Sequence, residues 1–301
     1  LCLKGICITN IMSAKQIYII IPVHNRVNYT LKCLNSLVNQ TYTIFSIILI
    51  DDGSTDNTSS IVSNKFPNVK ILKGDGHLWW SGSVNLGIRY AIKLKADYIL
   101  LLNNDLIVDN NYLESILAKS NNTSLIGSVL VNKNNKQIID GGSWLNLFTA
   151  KKKDLNIGKK INNIRNHELI KVNVLPGRGV LIPINVFEKV GLFNEEKLPQ
   201  YAADYEFSIR ALKNNYKLFC NYDSIIFSQE PSFDIKSRYS QLTWFELIKS
   251  FFSIRSSNGL KYRYRFAVLA FGYFRGVPFF IFDAIRTMSS NIIRKVKYSF
   301  E

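Results

Sequence analysis

Ile17-Tyr18-Ile19-Ile20-Ile21-Pro22-Val23-His24-Asn25 is the stretch on which the fold turns. It is a continuous, mostly β-branched apolar run without polar alternation, and it stops at a polar, turn-like segment. Such a run suits a strand covered on both faces, as in a parallel sheet. Outward from it, Leu31, Leu34, Leu37 and Val38 recur at helical spacing, with Asn28 placed to cap the helix. Ser46–Ile50 reads as a second buried strand, ended by Asp51-Asp52-Gly53-Ser54, and Asp56 can cap the short helix that follows. Val69–Leu72 is a third strand, Ser83–Leu94 a helix, and Asp97–Leu102 a fourth strand ending in Asn103-Asn104-Asp105. Strand and helix alternating at this rhythm predict a parallel α/β sheet. Sheets of that kind bind ligands at the carboxyl ends of their strands, where the polar clusters of this chain fall.

Beyond residue 120 the rhythm changes. Leu125–Val131 and Gln137–Trp144 read as strands with no helix between them, and Lys151–Lys171 is basic and pattern-poor, which predicts a mobile loop. Val172–Pro183 is apolar around a Gly177-Arg178-Gly179 interruption. Val186–Val190 is a short helix stopped by Gly191, Asp204–Leu212 is a further helix, and Lys217–Phe227 returns to strand. Cys2, Cys7, Cys33 and Cys220 show no metal-ligand spacing and read as free thiols. Met12 followed by Ser13-Ala14 suggests a true start there, so residues 1–14 are expected to be a disordered or non-native leader.

The 301-residue chain carries 38 Lys and Arg against 22 Asp and Glu, a net charge of +16 that favours phosphate-bearing or anionic partners. From Pro231 to Glu301 there are twelve Lys and Arg against four Asp and Glu, and 17 of the 38 aromatic residues. This tail is expected to be helical. Its basic and aromatic residues together suit an interfacial helix on anionic lipid, while packing back on the core is the alternative. No uninterrupted apolar run of about 20 residues is present, and Arg275, Pro278 and Asp283 break the most apolar stretch, which argues against a membrane span.

Three carboxylate clusters, Asp51-Asp52, Asp105, and Asp204 with Glu206, sit on separate polar segments. After a buried strand, Asp-Asp-Gly-Ser offers carboxylates to base or ribose hydroxyls, and Gly53 lets backbone approach a ligand. The same tetrad is also ordinary turn chemistry. Asn103-Asn104-Asp105 delivers three oxygen-bearing side chains to the sheet edge, which suits a hard cation such as Mn²⁺ or Mg²⁺ shared with substrate phosphates. Capping of the next helix is the competing use. Trp79-Trp80 could stack on a sugar ring or pack in the core.

Taken in order, Ile20-Ile21-Pro22-Val23-His24-Asn25, Asp51-Asp52-Gly53-Ser54-Thr55-Asp56, Leu101-Leu102-Asn103-Asn104-Asp105, Val190-Gly191-Leu192-Phe193-Asn194-Glu195 and Ala203-Asp204-Tyr205-Glu206-Phe207-Ser208-Ile209-Arg210 resemble family 2 of the glycosyltransferases over residues 17–227. Gly76-His77-Leu78-Trp79-Trp80-Ser81-Gly82-Ser83-Val84-Asn85-Leu86-Gly87 is similar to the branch that includes rhamnosyltransferases of bacterial surface polysaccharides. The resemblance implies an α/β GT-A fold, a Rossmann-like mixed sheet flanked by helices. Its catalytic domain would run over 15–230, with a nucleotide-binding half to 120 and an acceptor half after it, and the helical tail over 231–301. It implies an inverting transferase that moves a sugar from a nucleoside-diphosphate sugar to a hydroxyl of a glycan or lipid-linked acceptor.

By position, Pro22, Val23, His24, Asn25, Asp51, Asp52, Gly82, Asn85, Asn103 and Asn104 would meet the donor nucleotide. Asp105 would ligate Mn²⁺ or Mg²⁺, Asp204 would be the catalytic base, and Trp79, Trp80, Gly177, Arg178 and Glu206 would border the acceptor. The sequence departs from the family pattern in four places, the mildest being Asn194-Glu195 for an Asp-Glu pair. Ala203 replaces an acidic residue, the metal motif ends in one carboxylate, and Ser228-Gln229-Glu230 stands where many relatives carry a histidine. The implied location is cytoplasmic, at the cytosolic face of the inner membrane, in peripheral contact with anionic lipid. A nucleotidyltransferase would need a glycine-rich motif after the first strand, where Val23-His24-Asn25-Arg26-Val27 has none. A non-enzymatic nucleic-acid- or membrane-binding protein would account for the charge but not for ordered carboxylates, which repel phosphate unless a cation intervenes.

Overall fold

In the computed structural model, residues 15–164, 169–229 and 235–299 are described. The first strand, β1 (Ile17–Val23), lies between β2 (Phe45–Asp51) and β4 (Tyr98–Leu101), parallel to both, with β3 (Lys70–Lys73) outside β2. Burial on both faces explains its unbroken apolarity. Ile17, Ile19, Ile21 and Val23 enter one core with Cys33, Leu34 and Leu37 of α1 (Val27–Val38), while Tyr18 and Ile20 enter the other with Val84, Ile88 and Ala91 of α3 (Trp79–Lys93). The alternation is that of any strand; two apolar layers instead of one remove the polar half of the pattern.

The sheet continues past β4 as β11 (Val180–Pro183), β6 (Ser124–Asn132), β12 (Lys217–Ser228) and β10 (Leu169–Val172). β11 is antiparallel to both neighbours, and β12 runs parallel to β6 with a register shift between Asn221 and Ile225. β5 (Leu106–Val108) pairs with the end of β12, and β7 (Ile138–Asp140) with β6. The sheet is therefore mixed, and helices cover both faces: α2 (Thr58–Lys65) and α4 (Tyr112–Leu117) join α1, while α5 (Ile184–Val190) and α6 (Ala203–Lys213) join α3.

Two local expectations need correction. Helix α1 starts at Val27, before Asn28, and Asp56 caps it from the neighbouring loop by accepting the Val27 N–H at 2.8 Å. The same carboxylate accepts the Thr58 N–H at 3.2 Å, as expected for α2. Burial pushes the Asp56 pKa up, but the hydrogen bonds from Thr58 and Val27 outweigh it and hold the pKa low. Secondly, the basic segment after residue 150 is not all loop. β9 (Lys152–Asp154) pairs with β8 (Ser143–Leu145), and β10 closes the sheet edge, while residues 165–168 lie outside the described part. The leader, residues 1–14, also lies outside it.

The tail is helical: α7 (Ile235–Gln241), α8 (Trp244–Ser250) and α9 (Leu260–Ser299). Thr243 and Glu246 form a reciprocal capping box at the start of α8. By length and composition α9 could cross a membrane, but Gly272, at φ 74° and ψ 171°, breaks it into two arms. The arms fold against each other through Phe266 and Phe271 on Phe279 and through the Arg263–Asp283 ion pair. Tyr262, Phe266, Ala267, Ala270 and Phe279 join the core on the α6 side, so the tail packs back on the sheet domain. Phe245, Phe252 and Phe274 remain exposed.

Candidate functional site

The loops after β1, β2 and β3 lock together at the carboxyl edge of the sheet. Asp52 accepts the Gly76 N–H at 2.8 Å and the Trp79 N–H at 3.1 Å, one on each oxygen. His24 Nδ1 lies 2.6 Å from the Asp52 carbonyl. A carbonyl only accepts, so Nδ1 carries the proton in that contact and Nε2 is left for another partner. Gly53, at φ +75°, sits against Gly76 so closely that a Cβ would stand 2.9 Å from the Gly76 Cα. Trp79 itself takes φ 56°, a left-handed conformation costing of order 1–3 kcal/mol for a bulky side chain. Its N–H bond to Asp52 and the Arg255 guanidinium 5.9 Å from its ring help to hold it there.

These loops and the one after β4 enclose a cleft of about 500 Å³. Pro22, Val23, His24, Asp52, Asn103 and Asn104 line it together with Asp105. Trp79 and Trp80, which the resemblance puts beside the acceptor, also line this cleft. Trp80 forms its inner wall, with Nε1 3.4 Å from Asn103 Oδ1 and its ring edge-on to Phe193. Gly177 is small because of that ring: a Cβ there would lie 2.2 Å from Trp80 Cζ2.

On the other side of Gly177 is Asp204, in the first turn of α6. One oxygen accepts the Gly177 N–H and the other the Tyr205 N–H, each at 2.9 Å. Burial pushes its pKa above the usual carboxylate range, while those two N–H groups and the Arg178 charge resist the rise. Asp204 and Arg178 face a second cavity of about 670 Å³, closed by α9. Arg178 is paired with Asp140 at 3.3 Å. The result is a partly desolvated carboxylate fixed by two N–H groups, with the cleft behind Trp80 on its other side.

Five of the expected site residues stand elsewhere. Asp51 is turned to a smaller depression behind Gly53 and accepts the Ser54 N–H and the Ser59 hydroxyl. Asn25 spends its carbonyl oxygen on the Thr55 N–H at 2.8 Å. Asn85 is buried behind the cleft wall, its amide clamping both backbone groups of Phe193 and reaching Glu195. Gly82 is buried beside it against Leu78 and Glu195. Glu206 is buried in an ion pair with Arg210 at 2.8 Å, and Arg210 also donates to the carbonyls of Val190 and Leu192. Those motif residues therefore tie α3, the α5 stop and α6 into one unit.

The structure adds residues that the motifs do not contain. Arg255 and Gln200 line the cleft, and Gln200 Oε1 accepts the Trp80 N–H at 3.1 Å. Arg255 lies in the aperiodic Ser253-Ile254-Arg255-Ser256-Ser257 segment, with no local pattern tying it to Trp79. Gln229, in the Ser228-Gln229-Glu230 stretch that departs from the family pattern, accepts nothing through its buried Oε1 among the described residues; its amide donates to the Tyr29 and Asn104 carbonyls, and its N–H to that of Asp105.

Among the described residues no three His, Cys, Asp or Glu side chains group as a metal cage. The cleft offers Asp105, with Oδ2 3.7 Å from Arg26, and Asp52, whose oxygens both accept backbone N–H bonds. So sparse a set fits a hard cation in one mode, with substrate phosphates and water completing its shell.

Comparison with known proteins bears on the family and the fold. The family model of glycosyl transferase family 2 matches residues 18–175. Glycosyltransferase GlyG of Streptococcus pneumoniae is 31% identical over 106 residues, 34% of this chain and 34% of that protein. The uncharacterized glycosyltransferase RP339 of Rickettsia prowazekii is 30% identical over 224 residues, 73% of this chain and 63% of its own length. RT0329 of Rickettsia typhi is 29% identical over 65% of this chain and 58% of its length, so the chain spans less than two thirds of each of these relatives. In structure, GalNAc-T7 with UDP, GalNAc and Mn²⁺ superposes at TM-score 0.58 and 16% identity, covering 94% of this chain and 57% of that one. S. aureus TarS 1–349 in complex with UDP superposes at 0.55 and 15%, covering 94% and 89%. The fold is GT-A, and with the family model spanning more than half of its length, the chain belongs to glycosyltransferase family 2.

Proposed function

We propose that this chain is an inverting glycosyltransferase that moves a sugar from a nucleoside-diphosphate sugar to a hydroxyl of a glycan or lipid-linked acceptor, in the assembly of a bacterial surface polysaccharide. The observation that carries the reading is the placement of Asp204. It is held by two backbone N–H groups, has a raised pKa, and lies beside the Gly177–Trp80 contact, where the cavity it lines adjoins the cleft. The donor would lie in the cleft of Asp52, Asn103 and Asp105, and the acceptor in the cavity behind Arg178. The acceptor oxygen attacks the anomeric carbon, its proton passes to the Asp204 carboxylate, and the bond to the diphosphate breaks with its electron pair on the departing oxygen. A carboxylate of raised pKa is the better base for that step, because its affinity for the proton is nearer that of the acidifying hydroxyl. Arg255, over the cleft, supplies positive charge where the diphosphate gains negative charge. A bound divalent cation, held by Asp105, would add the same stabilisation. GalNAc-T7 carries UDP and Mn²⁺ and TarS carries UDP in like folds, which supports a nucleotide donor and a divalent ion here.

The test is a thermal-shift screen against UDP-, GDP- and dTDP-sugars, each with and without Mn²⁺ or Mg²⁺. At about 100 times its dissociation constant a ligand stabilises the fold by roughly 2.7 kcal/mol, which is readily seen. One nucleotide should stabilise the chain, more so with metal, and Asp105→Ala should remove the metal increment. No response to any nucleotide sugar would count against the reading.

A further inference from the structure

Five buried side-chain polar atoms have no partner among the described residues: Arg178 Nε, Arg263 Nε, Tyr262 Oη, Asn185 Oδ1 and Gln229 Oε1. The first three belong to residues lining one cavity, the 670 Å³ space that also holds Asp204, and all three can donate. Buried donors are rarely left unmade, so three around one space point to a ligand rich in acceptor oxygens. Charge narrows the class. The lining holds five cations, Lys152, Arg178, Arg263, Arg286 and Arg294, against three carboxylates, Asp140, Asp204 and Asp283, and Lys152 is further paired with Asp154 just outside the lining at 2.8 Å, which leaves a surplus of one positive charge. The carboxylates are already engaged: Asp140 with Arg178, Asp283 with Arg263 and Arg286, and Asp204 with backbone N–H groups. Arg294 is exposed and has no hydrogen bond or ion pair among the described residues. Neutral water would satisfy the donors and leave the charge; an anion with several oxygens satisfies both. Guanidinium groups match phosphate in shape and charge.

We infer that this cavity binds a phosphate or diphosphate group carried by the acceptor, held by Arg178, Arg263 and Arg294 with the Tyr262 hydroxyl. This rests on the transferase reading above. The donor's own diphosphate belongs in the cleft beyond Trp80, under Arg255. A phosphate in the Asp204 cavity therefore comes with the molecule whose hydroxyl Asp204 deprotonates. It can sit on a soluble glycan phosphate or on a lipid-linked diphosphate.

Two substitutions test it without removing a contact seen in the protein: Tyr262→Phe deletes only the orphaned hydroxyl, and Arg294→Gln only the unpaired charge. Inorganic pyrophosphate is titrated calorimetrically into the full chain and into both variants, with Arg255→Gln reporting on the donor cleft. Pyrophosphate should bind, and its dissociation constant should rise about tenfold or more in Tyr262→Phe and in Arg294→Gln. A dissociation constant unchanged in both variants, or raised only in Arg255→Gln, overturns the inference. Phosphatidylcholine vesicles with and without a polyprenyl diphosphate form the second arm. Tighter binding to the diphosphate-bearing vesicles, lost in both variants, assigns the anion to a lipid; binding of pyrophosphate alone assigns it to a soluble acceptor, and either supports the site. The nucleotide-sugar screen keeps the outcomes apart. Donor binding with a pyrophosphate constant blind to both variants sinks the acceptor site and leaves the transferase; the converse sinks the transferase reading.

Discussion

On the proposed reading, much of the function rests on Asp204 and its neighbours. Asp204→Asn should keep nucleotide-sugar binding and lower kcat by about 10²–10⁴-fold, the ordinary contribution of a general base; turnover at the wild-type rate would remove Asp204 from that role. Because burial raises its pKa, kcat/KM should fall as pH drops through a midpoint above the ordinary carboxylate value, and the variant should lack that limb. The linkage has a definite sign. A folded-state pKa raised above the unfolded one favours folding when the group is protonated, and that contribution is lost as pH rises through the raised value. The stability of wild type relative to Asp204→Asn should therefore decline over that interval, as followed by denaturant midpoints at stepped pH. Gly177→Ala tests the wall between the two cavities. A Cβ 2.2 Å from the Trp80 ring forces the ring or the loop to move, so kcat should fall more than donor affinity.

At the scale of the element, one carboxylate organises two helices. Asp56 caps α2 through Thr58 and α1 through Val27, and its lowered pKa records that both bonds favour the charged form. Asp56→Ala should cost about 1–2 kcal/mol for the first cap and more for the second, seen as a lower denaturation midpoint. Asp56→Asn should recover most of it, since an amide oxygen still accepts. Half of this arrangement was legible in the sequence, because an Asp just ahead of Thr58 is a local cap. The other half was not: Val27 and Asp56 are brought together only when β1 and β2 pair in register, Val23 beside Asp51. Asn85 and Glu206 teach the same lesson. Their motif positions drew attention to ligands, yet the Asn85 amide is consumed by Phe193 and Glu195, contacts that exist only once α3 packs on the segment after α5, while Glu206 is consumed by Arg210 one turn on in α6, whose guanidinium in turn reaches the Val190 and Leu192 carbonyls.

For the whole molecule, the tail is where packing and surface compete. Deleting it would strip Tyr262, Phe266 and Phe279 from the core, so a truncated chain would report on folding as well as on lipid. Replacing the exposed Phe245, Phe252 and Phe274 with serine leaves the core intact and should weaken binding to anionic vesicles in sedimentation, with the thermal midpoint little changed. Unaltered vesicle binding would leave the tail a packing element alone. What the sequence determined by itself is the order of elements and the edge of the sheet at which polar residues gather, because hydrophobic period and turn chemistry are local properties. The rule that ligands meet parallel strands at their carboxyl ends then located Asp52, Asn103 and Asp105 without coordinates. Only the tertiary structure decided that Asp204 and Arg178 share a cavity closed by Tyr262, Arg263 and Arg294, and that Arg255 reaches the cleft of Asp52 and Asp105. Those residues lie tens of positions apart in segments without a shared pattern, and their proximity depends on how the broken helix α9 docks on α6, a matter of shape and packing that no local pattern carries.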